Sequence, residues 1–356
     1  MSANNHLDLI SITITLASAP LARAGFGTVL GMFEDITLDG DRYRTYTDLA
    51  AVAADNTAGY LSAEVLAAAT AMFSQTTPPA KIAIGRVDVT ASAETYAAAL
   101  DAVEAAGFTD YWAVFMESRT AATQVAFATN VQTRRKMLFL QSSDAGWLTA
   151  GVPAAFSDLD GDERTVLIWH DDDTEWADAA WSANRLVFNP DTISAPFRAG
   201  VQAVGAYAAA MSSTQKDAAR ANNANIGLPM GTADFFVDPG TNMNGRPIYE
   251  ILTADWFYTR LREDFAVFIV DKAASGQKIP VDVRGQAQAL SLINSRLKLG
   301  VNAGHFIPDQ VEATAEDITS ADISAQELRF SGRAQLAVAA RKFTFTFNFG
   351  RDPINE

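Results

Sequence analysis

The densest group of residues able to hold a metal or move a proton is His170-Asp171-Asp172-Asp173 with Glu175, at the end of the apolar stretch Thr165–Trp169. One imidazole and four carboxylates at a strand end suit a divalent ion and would make an enzyme of an α/β domain. The plainer reading, a solvated acidic loop, is favoured because charge runs usually mark surface. Asp158, Asp160 and Asp162 alternate around Gly161, but a helix–loop–helix calcium site needs Gly sixth and Glu twelfth. Those positions hold Glu163 and Trp169. From Asp158 to Asp178 the only base is Arg164, so the acidity is local and is expected to face outward.

Other chemistries fail on spacing. Gly25-x-Gly27 followed by Gly31 puts the third glycine one residue late for a dinucleotide fingerprint, and Thr28–Phe33 reads as strand where a helix is required. No phosphate-loop motif, no His-Glu-x-x-His and no Gly-x-Ser-x-Gly elbow occurs. The histidines are His6, His170 and His305, and there is no cysteine. Disulfides, thiolate metal sites and a cysteine nucleophile are thereby excluded. No catalytic residue, cofactor or metal is assigned. Exposed Trp176 and Trp181 would instead suit a monomeric carbohydrate- or receptor-binding module.

The charge balance sets the class of partner. Lys and Arg number 27 against 42 for Asp and Glu, a net −15 over 356 residues, which argues against nucleic acid. One stretch runs the other way. From Val283 to Pro308 there is no acid, while Arg284, Arg296 and Lys298 are present, a candidate basic face for an acidic partner.

The elements that must carry these residues follow from periodicity. Apolar residues make up 49% of the chain, enough for a real core, and no run is long enough to cross a bilayer. Residues 9–17 do not read as a signal peptide: Asp8 sits where a positive charge is expected. Strands are expected at Thr28–Phe33, Lys81–Val87, Tyr111–Met116, Lys136–Gln141 and Thr165–Trp169. Helices are expected at Ser62–Ser74, Ala93–Ala106 (capped by Ser92), Ala121–Thr133, Glu175–Asn184 and Phe197–Met211. Their alternation predicts an α/β layer with a central mixed sheet and flanking helices. Residues 222–247, rich in Asn, Gly and Pro, read as a long irregular connection. Helices at Ile248–Asp271 and Arg284–Leu299 follow, the second with Ala287, Leu290, Ile293 and Leu297 on one face, and then an acidic Ser/Thr-rich stretch, Glu312–Glu327. The expected division is an N-terminal strand arm (1–20), an outward α/β body (21–221), a C-terminal α+β domain (222–340) and a C-terminal strand arm (341–356).

The two arms are the strongest pattern in the chain. Ile10, Ile12, Ile14 and Leu16 alternate with Ser and Thr, and Phe343, Phe345, Phe347 and Phe349 alternate with Thr and Asn. A lone strand cannot satisfy its own backbone, so each must join a sheet, in this chain or in another copy.

With Gly25-Phe26-Gly27-Thr28, Phe73-Ser74-Gln75, the run Lys81–Arg86, Ile279-Pro280-Val281-Asp282, Gly300–Pro308 and Phe330-Ser331-Gly332-Arg333, the sequence resembles the tail sheath proteins of contractile-tailed bacteriophages, in a short variant. The resemblance implies a structural subunit and no enzyme. It would form stacked hexameric rings around an inner tail tube and exchange its terminal strands with neighbours. Contraction would drive the tube through the host envelope. It implies the tube protein, baseplate and tail terminator as partners, with no nucleic acid and no membrane insertion. It also implies a place in the virion after assembly in the host cytoplasm. Residues 222–340 would face the tube, with Arg284, Arg296 and Lys298 as candidate contacts.

Overall fold

The computed structural model describes residues 25–231 and 233–339. Ile10, Ile12, Ile14, Leu16, Phe343, Phe345, Phe347 and Phe349 lie outside the described residues.

The elements in chain order are β1 (Val29–Glu34), β2 (Tyr43–Tyr46), α1 (Leu49–Thr57), α2 (Ala63–Phe73), β3 (Ile82–Val87), the short turn α3 (Val89–Ser92), α4 (Tyr96–Ala105), β4 (Ala113–Met116), α5 (Ala121–Val131), β5 (Met137–Ser142), β6 (Thr165–Trp169), α6 (Ala177–Leu186), α7 (Ser213–Ala221), β7 (Asn225–Met230), β8 (Ala233–Asp238), α8 (Ile248–Ala274), α9 (Val283–Asn302), β9 (Phe306–Ala315), α10 (Ser320–Ala325) and β10 (Phe330–Leu336). Eight strands form one mixed sheet in the order β2-β3-β1-β4-β5-β6-β7-β8, with β2 and β8 as antiparallel edges on a parallel centre. A second sheet pairs β9 with β10 antiparallel.

The central strands read as unbroken apolar runs because both faces of the sheet are covered. Val29, Phe33, Ile82, Phe115, Phe139 and Val166 face a core shared with α1, α2 and α6. Leu30, Met32, Val114, Leu138 and Leu167 alternate with them, facing α4 and α5. The first core does not stop at the sheet. Ile248, Ile251, Leu252 and Trp256 of α8, and Ile293 and Leu297 of α9, belong to it.

Four expectations change. Thr95, not Ser92, caps the helix after β3; its hydroxyl accepts from the Ala98 amide, and Ala93 at φ 52° ends the short turn before it. Phe197–Met211 is not a helix. Phe197, Ala199, Val201 and Met211 are buried along an irregular path, with Gly200 bridged to Phe236 and Ala203 at φ 57°. The Asn- and Gly-rich stretch after residue 222 holds β7 and β8, so the main sheet runs on to Asp238, past the expected boundary at 221/222. On α9 the buried stripe is Gly285, Ala289, Ile293 and Leu297, and Ala287 is exposed.

Candidate assembly interface

The part of the molecule built unlike a finished core is the unit of α8, α9, β9 and β10. The chain enters it through α8, whose 27 residues divide into two halves. The first half is fastened to the body. Asp255 is 1% exposed and accepts from both Nη atoms of Arg164, at 2.5 and 2.9 Å, and from Trp112 Nε1 at 2.9 Å. The next residue, Trp256, donates through Nε1 to Asp191 at 2.8 Å, and Arg260, one turn further, donates to both oxygens of Asp191 at 2.9 and 2.8 Å. Burial pushes the Asp191 carboxyl up, but the bonds from Arg260 and Trp256 outweigh it and hold it below its usual range.

His305 closes the same junction. Its Nε2 lies 2.7 Å from the Pro190 carbonyl, which only accepts, so Nε2 carries the hydrogen and Nδ1 accepts from the Thr253 hydroxyl at 2.7 Å. The ring stacks on Trp256 at 4.6 Å, and burial lowers its pKa, which keeps it neutral.

The second half of α8 has no such cover. Phe265, Phe268 and Ile269 are half-buried, and Val267 is 47% exposed. Phe257, Leu261, Phe265 and Phe268 form a stripe at i, i+4, i+8 and i+11, which faces Ala289, Ile293 and Leu297 of α9 across an open apolar groove of about 670 Å³. The small sheet roofs only part of it. β9 packs on α9, while β10 forms the groove's border over Phe330–Ala334. Among the described residues β9 and β10 pair only with each other, so each has a free edge. An apolar floor beside unpaired strand edges can accept further strands through backbone hydrogen bonds, with side chains seated in the groove.

The three basic candidates separate. Arg284 and Lys298 are exposed and share one stripe of α9 with Ala287, Ser291 and Ser295. Arg284 also pairs with its own N-cap, Asp282, at 2.9 Å. Arg296 lies on the buried stripe, 4% exposed, donating to Asp264 at 2.8 and 2.6 Å. Its charge is spent inside the fold and is not available to a partner on the Arg284–Lys298 face.

The acidic loop resolves as well. His170 is 1% exposed; Nδ1 accepts from the Asp172 amide at 3.1 Å, and Nε2 is 3.0 Å from the Gly205 carbonyl. Both nitrogens are engaged, which removes the imidazole from the alternative reading of a divalent-ion site over 170–175. Asp172 and Asp173 are exposed, and so are Asp158, Asp160 and Glu163. Asp162 and Asp178 are buried instead, the first bonded to Thr165 and the second to Arg119 at 2.6 Å. Trp176 and Trp181 are both buried, so they offer no aromatic platform to a sugar.

Comparison with solved structures gives one answer along almost the whole chain. A chain of the anti-feeding prophage baseplate superposes with a TM-score of 0.68 over 95% of this chain and 98% of its own, at 10% identity. The helical sheath of the same particle in its contracted state gives 0.63 over 96% and 98%, at 12% identity. A sheath tail protein from Listeria innocua gives 0.55 over 89% and 97%, at 8% identity.

The chain has the contractile sheath fold.

No protein-family model and no curated protein matches the sequence. At these identities the sheath fold is carried by the pattern of buried positions and not by particular residues. The groove and the edges of β9 and β10 are the part of the sheath fold that sequence reasoning missed. The signal was present as Phe265–Val270, an apolar run around every side of one helix, which a solvated helix does not tolerate.

Proposed function

We propose that this protein is the structural subunit of a contractile tail sheath or related injection particle. The single observation that carries the reading is the α8–α9 groove beside the free edges of β9 and β10, an acceptor for strands within a sheath fold. The strand arms at 1–20 and 341–356, with Ile10, Ile12, Ile14, Leu16, Phe343, Phe345, Phe347 and Phe349, supply strands to such acceptors in neighbouring copies. Stacked hexameric rings then form around an inner tube, with baseplate and terminator proteins at the two ends. Residues 21–221, with β7 and β8 completing their sheet, face outward, and the α8–β10 part of 222–340 faces the tube, where Arg284 and Lys298 make its charged contacts. Those contacts must be weak enough to break when the lattice contracts, because a tube held equally in both states shifts nothing. The work comes from the lattice, and the subunit itself catalyses nothing. The particle assembles in the host cytoplasm and acts as part of the virion.

Negative-stain electron microscopy of the purified chain, with and without 1–17 or 342–356, tests this. Striated hollow tubes or stacked rings from the full chain, lost on either truncation while the chain stays folded, are expected. Tubes that survive a truncation would exclude that arm from the lattice.

A further inference from the structure

Residues 203–211 have the composition of a helix and lie directly before α7, yet they run as an irregular strap over the Trp169 end of β6 and onto β7. The strap starts at a clamp: Gln75 Nε2 donates to the Gln202 carbonyl at 2.8 Å, and Gln75 Oε1 accepts from the Gln202 amide at 3.1 Å. Ala203 then turns at φ 57°, a left-handed conformation that is unfavourable for alanine. Among the described residues, no backbone–backbone hydrogen bond involves 203–211. Side chains hold the strap instead. His170 Nε2 lies 3.0 Å from the Gly205 carbonyl, and Asp171 Oδ2 accepts from the Ala208 amide at 2.7 Å. The Tyr207 hydroxyl donates to the Trp169 carbonyl at 3.3 Å and accepts from the Gly227 amide at 2.5 Å. Its ring is half-buried against Trp169, His170 and Phe235, at 5.1, 5.2 and 5.6 Å between centroids, while Ala203, Ala206, Ala208, Ala209 and Ala210 are exposed.

A segment with an unpaired backbone and the best helix-forming residue at most positions has an alternative beside it. α7 starts at Ser213 because Ser212 caps it: the Ser212 hydroxyl accepts from the Gln215 amide at 3.3 Å, and Gln215 Oε1 accepts from the Ser212 amide at 2.9 Å. Adding residues to a helix that already exists avoids the costly nucleation step. Once Tyr207 leaves its seat, Ala206–Ser212 can continue α7 backwards, with Gly205 as a tolerated N-cap and Ala203 relieved of its left-handed turn. We propose that residues 203–211 are a two-state strap, closed over the end of β6 as described and, when released, joined to α7 as one helix from Ala206 to Ala221. Release uncovers Trp169 and Phe235. The balance is held by Asp171 and Tyr207, so any contact that draws either of them away selects the helix. The switch is a property of the single chain and does not depend on the sheath reading.

Two full-length double variants test it. Tyr207→Ala with Ser212→Ala removes the seat and the cap. Asp171→Ala with Ser212→Ala removes one tie and the cap through two side chains that reach the surface, and it leaves the Tyr207 packing in place, so folding is kept. Hydrogen exchange followed by mass spectrometry reads the amides of residues 210, 211, 213 and 214. These have no hydrogen-bond partner among the described residues, and a helix from Ala206 would bond each to the carbonyl four residues before it. Exchange at least about tenfold slower than in the wild type is expected at those amides, with a gain in far-ultraviolet helical signal. Adding Ala209→Gly and Ala210→Gly penalises only the helix and should restore fast exchange. Exchange as fast as in the wild type, or slowing that survives the two glycines, would overturn the proposal.

Discussion

Glu117 is a residue whose ionisation the fold opposes. It follows β4, beside the end of β1, and its Oε2 accepts the Glu34 amide hydrogen at 2.7 Å. Burial first, then the neighbouring charges of Glu34 and Glu64, push its carboxyl up from 4.5 to about 7, against the opposing pull of that amide and of Arg119. A raised folded pKa means the native state holds the proton more tightly than the unfolded chain. The stabilisation is therefore full below about pH 4.5 and is lost as pH rises through about 7. Glu117→Gln keeps an acceptor for the Glu34 amide and removes the titration. Its melting temperature should fall less than the wild type's between about pH 5 and about pH 8. Equal slopes in the two proteins would show that Glu117 is not the group responsible. Asp255 is the contrasting case. A buried carboxylate held by Arg164 is worth little as a pair, but losing one partner strands the other charge at a cost of about 3–5 kcal/mol.

Among the elements, α9 depends on one glycine for its place. A Cβ on Gly285 would stand 1.9 Å from the Pro280 carbonyl oxygen, a backbone atom with no rotamer to escape into. Only a bare α-carbon lets the first turn of α9 pass under the 279–282 segment and bring Ile279 and Val281 to the rim of the groove. Gly285→Ala should lose about 1–3 kcal/mol in urea unfolding despite its better helix propensity. A gain in stability would show that Pro280 yields freely. The elements also show what the sequence could and could not reveal. Strands buried on both faces, such as Ile82–Val87 and Thr165–Trp169, are legible as apolar runs bounded by breakers. β7 was hidden because Asn225 reads as loop, whereas its buried amide bonds the Leu167 and Thr241 carbonyls and the Gly240 and Thr241 amides. Phe197–Met211 has helical composition, and burial of Phe197 and Val201 against the sheet overrides it. Arg296 shares its run with Arg284 and Lys298 but not their helical phase, and phase decides which side chains face a partner. The groove left one sign in the sequence, the all-round apolar run Phe265–Val270, because its other walls come together only when α9 and β10 pack beside α8.

On the scale of the whole molecule, the proposed contact with a tube would depend on net charge and its placement. The exposed stripe of α9 with Arg284 and Lys298 is basic on a chain of net −15, so its contacts should be salt-sensitive and weak. Arg284→Glu with Lys298→Glu should leave folding and arm-driven ring formation intact but abolish co-assembly with tube, as seen by pelleting and microscopy. Unchanged co-assembly would place the tube against another face.

The two halves of α8 have a mechanical consequence. An unbroken helix of this length is a rod of about 40 Å. One half is bolted to the body through Asp255 on the helix and Asp191 in the loop after α6, and the other forms the groove floor. Any push or pull received in the groove passes along that rod into a close-packed interior of low compressibility. On the sheath reading, each copy would act as a stiff part. Elastic energy in an assembly of such parts has nowhere to reside but in the joints between copies, so the stroke would be set by how the copies are coupled and not by any bending within one of them.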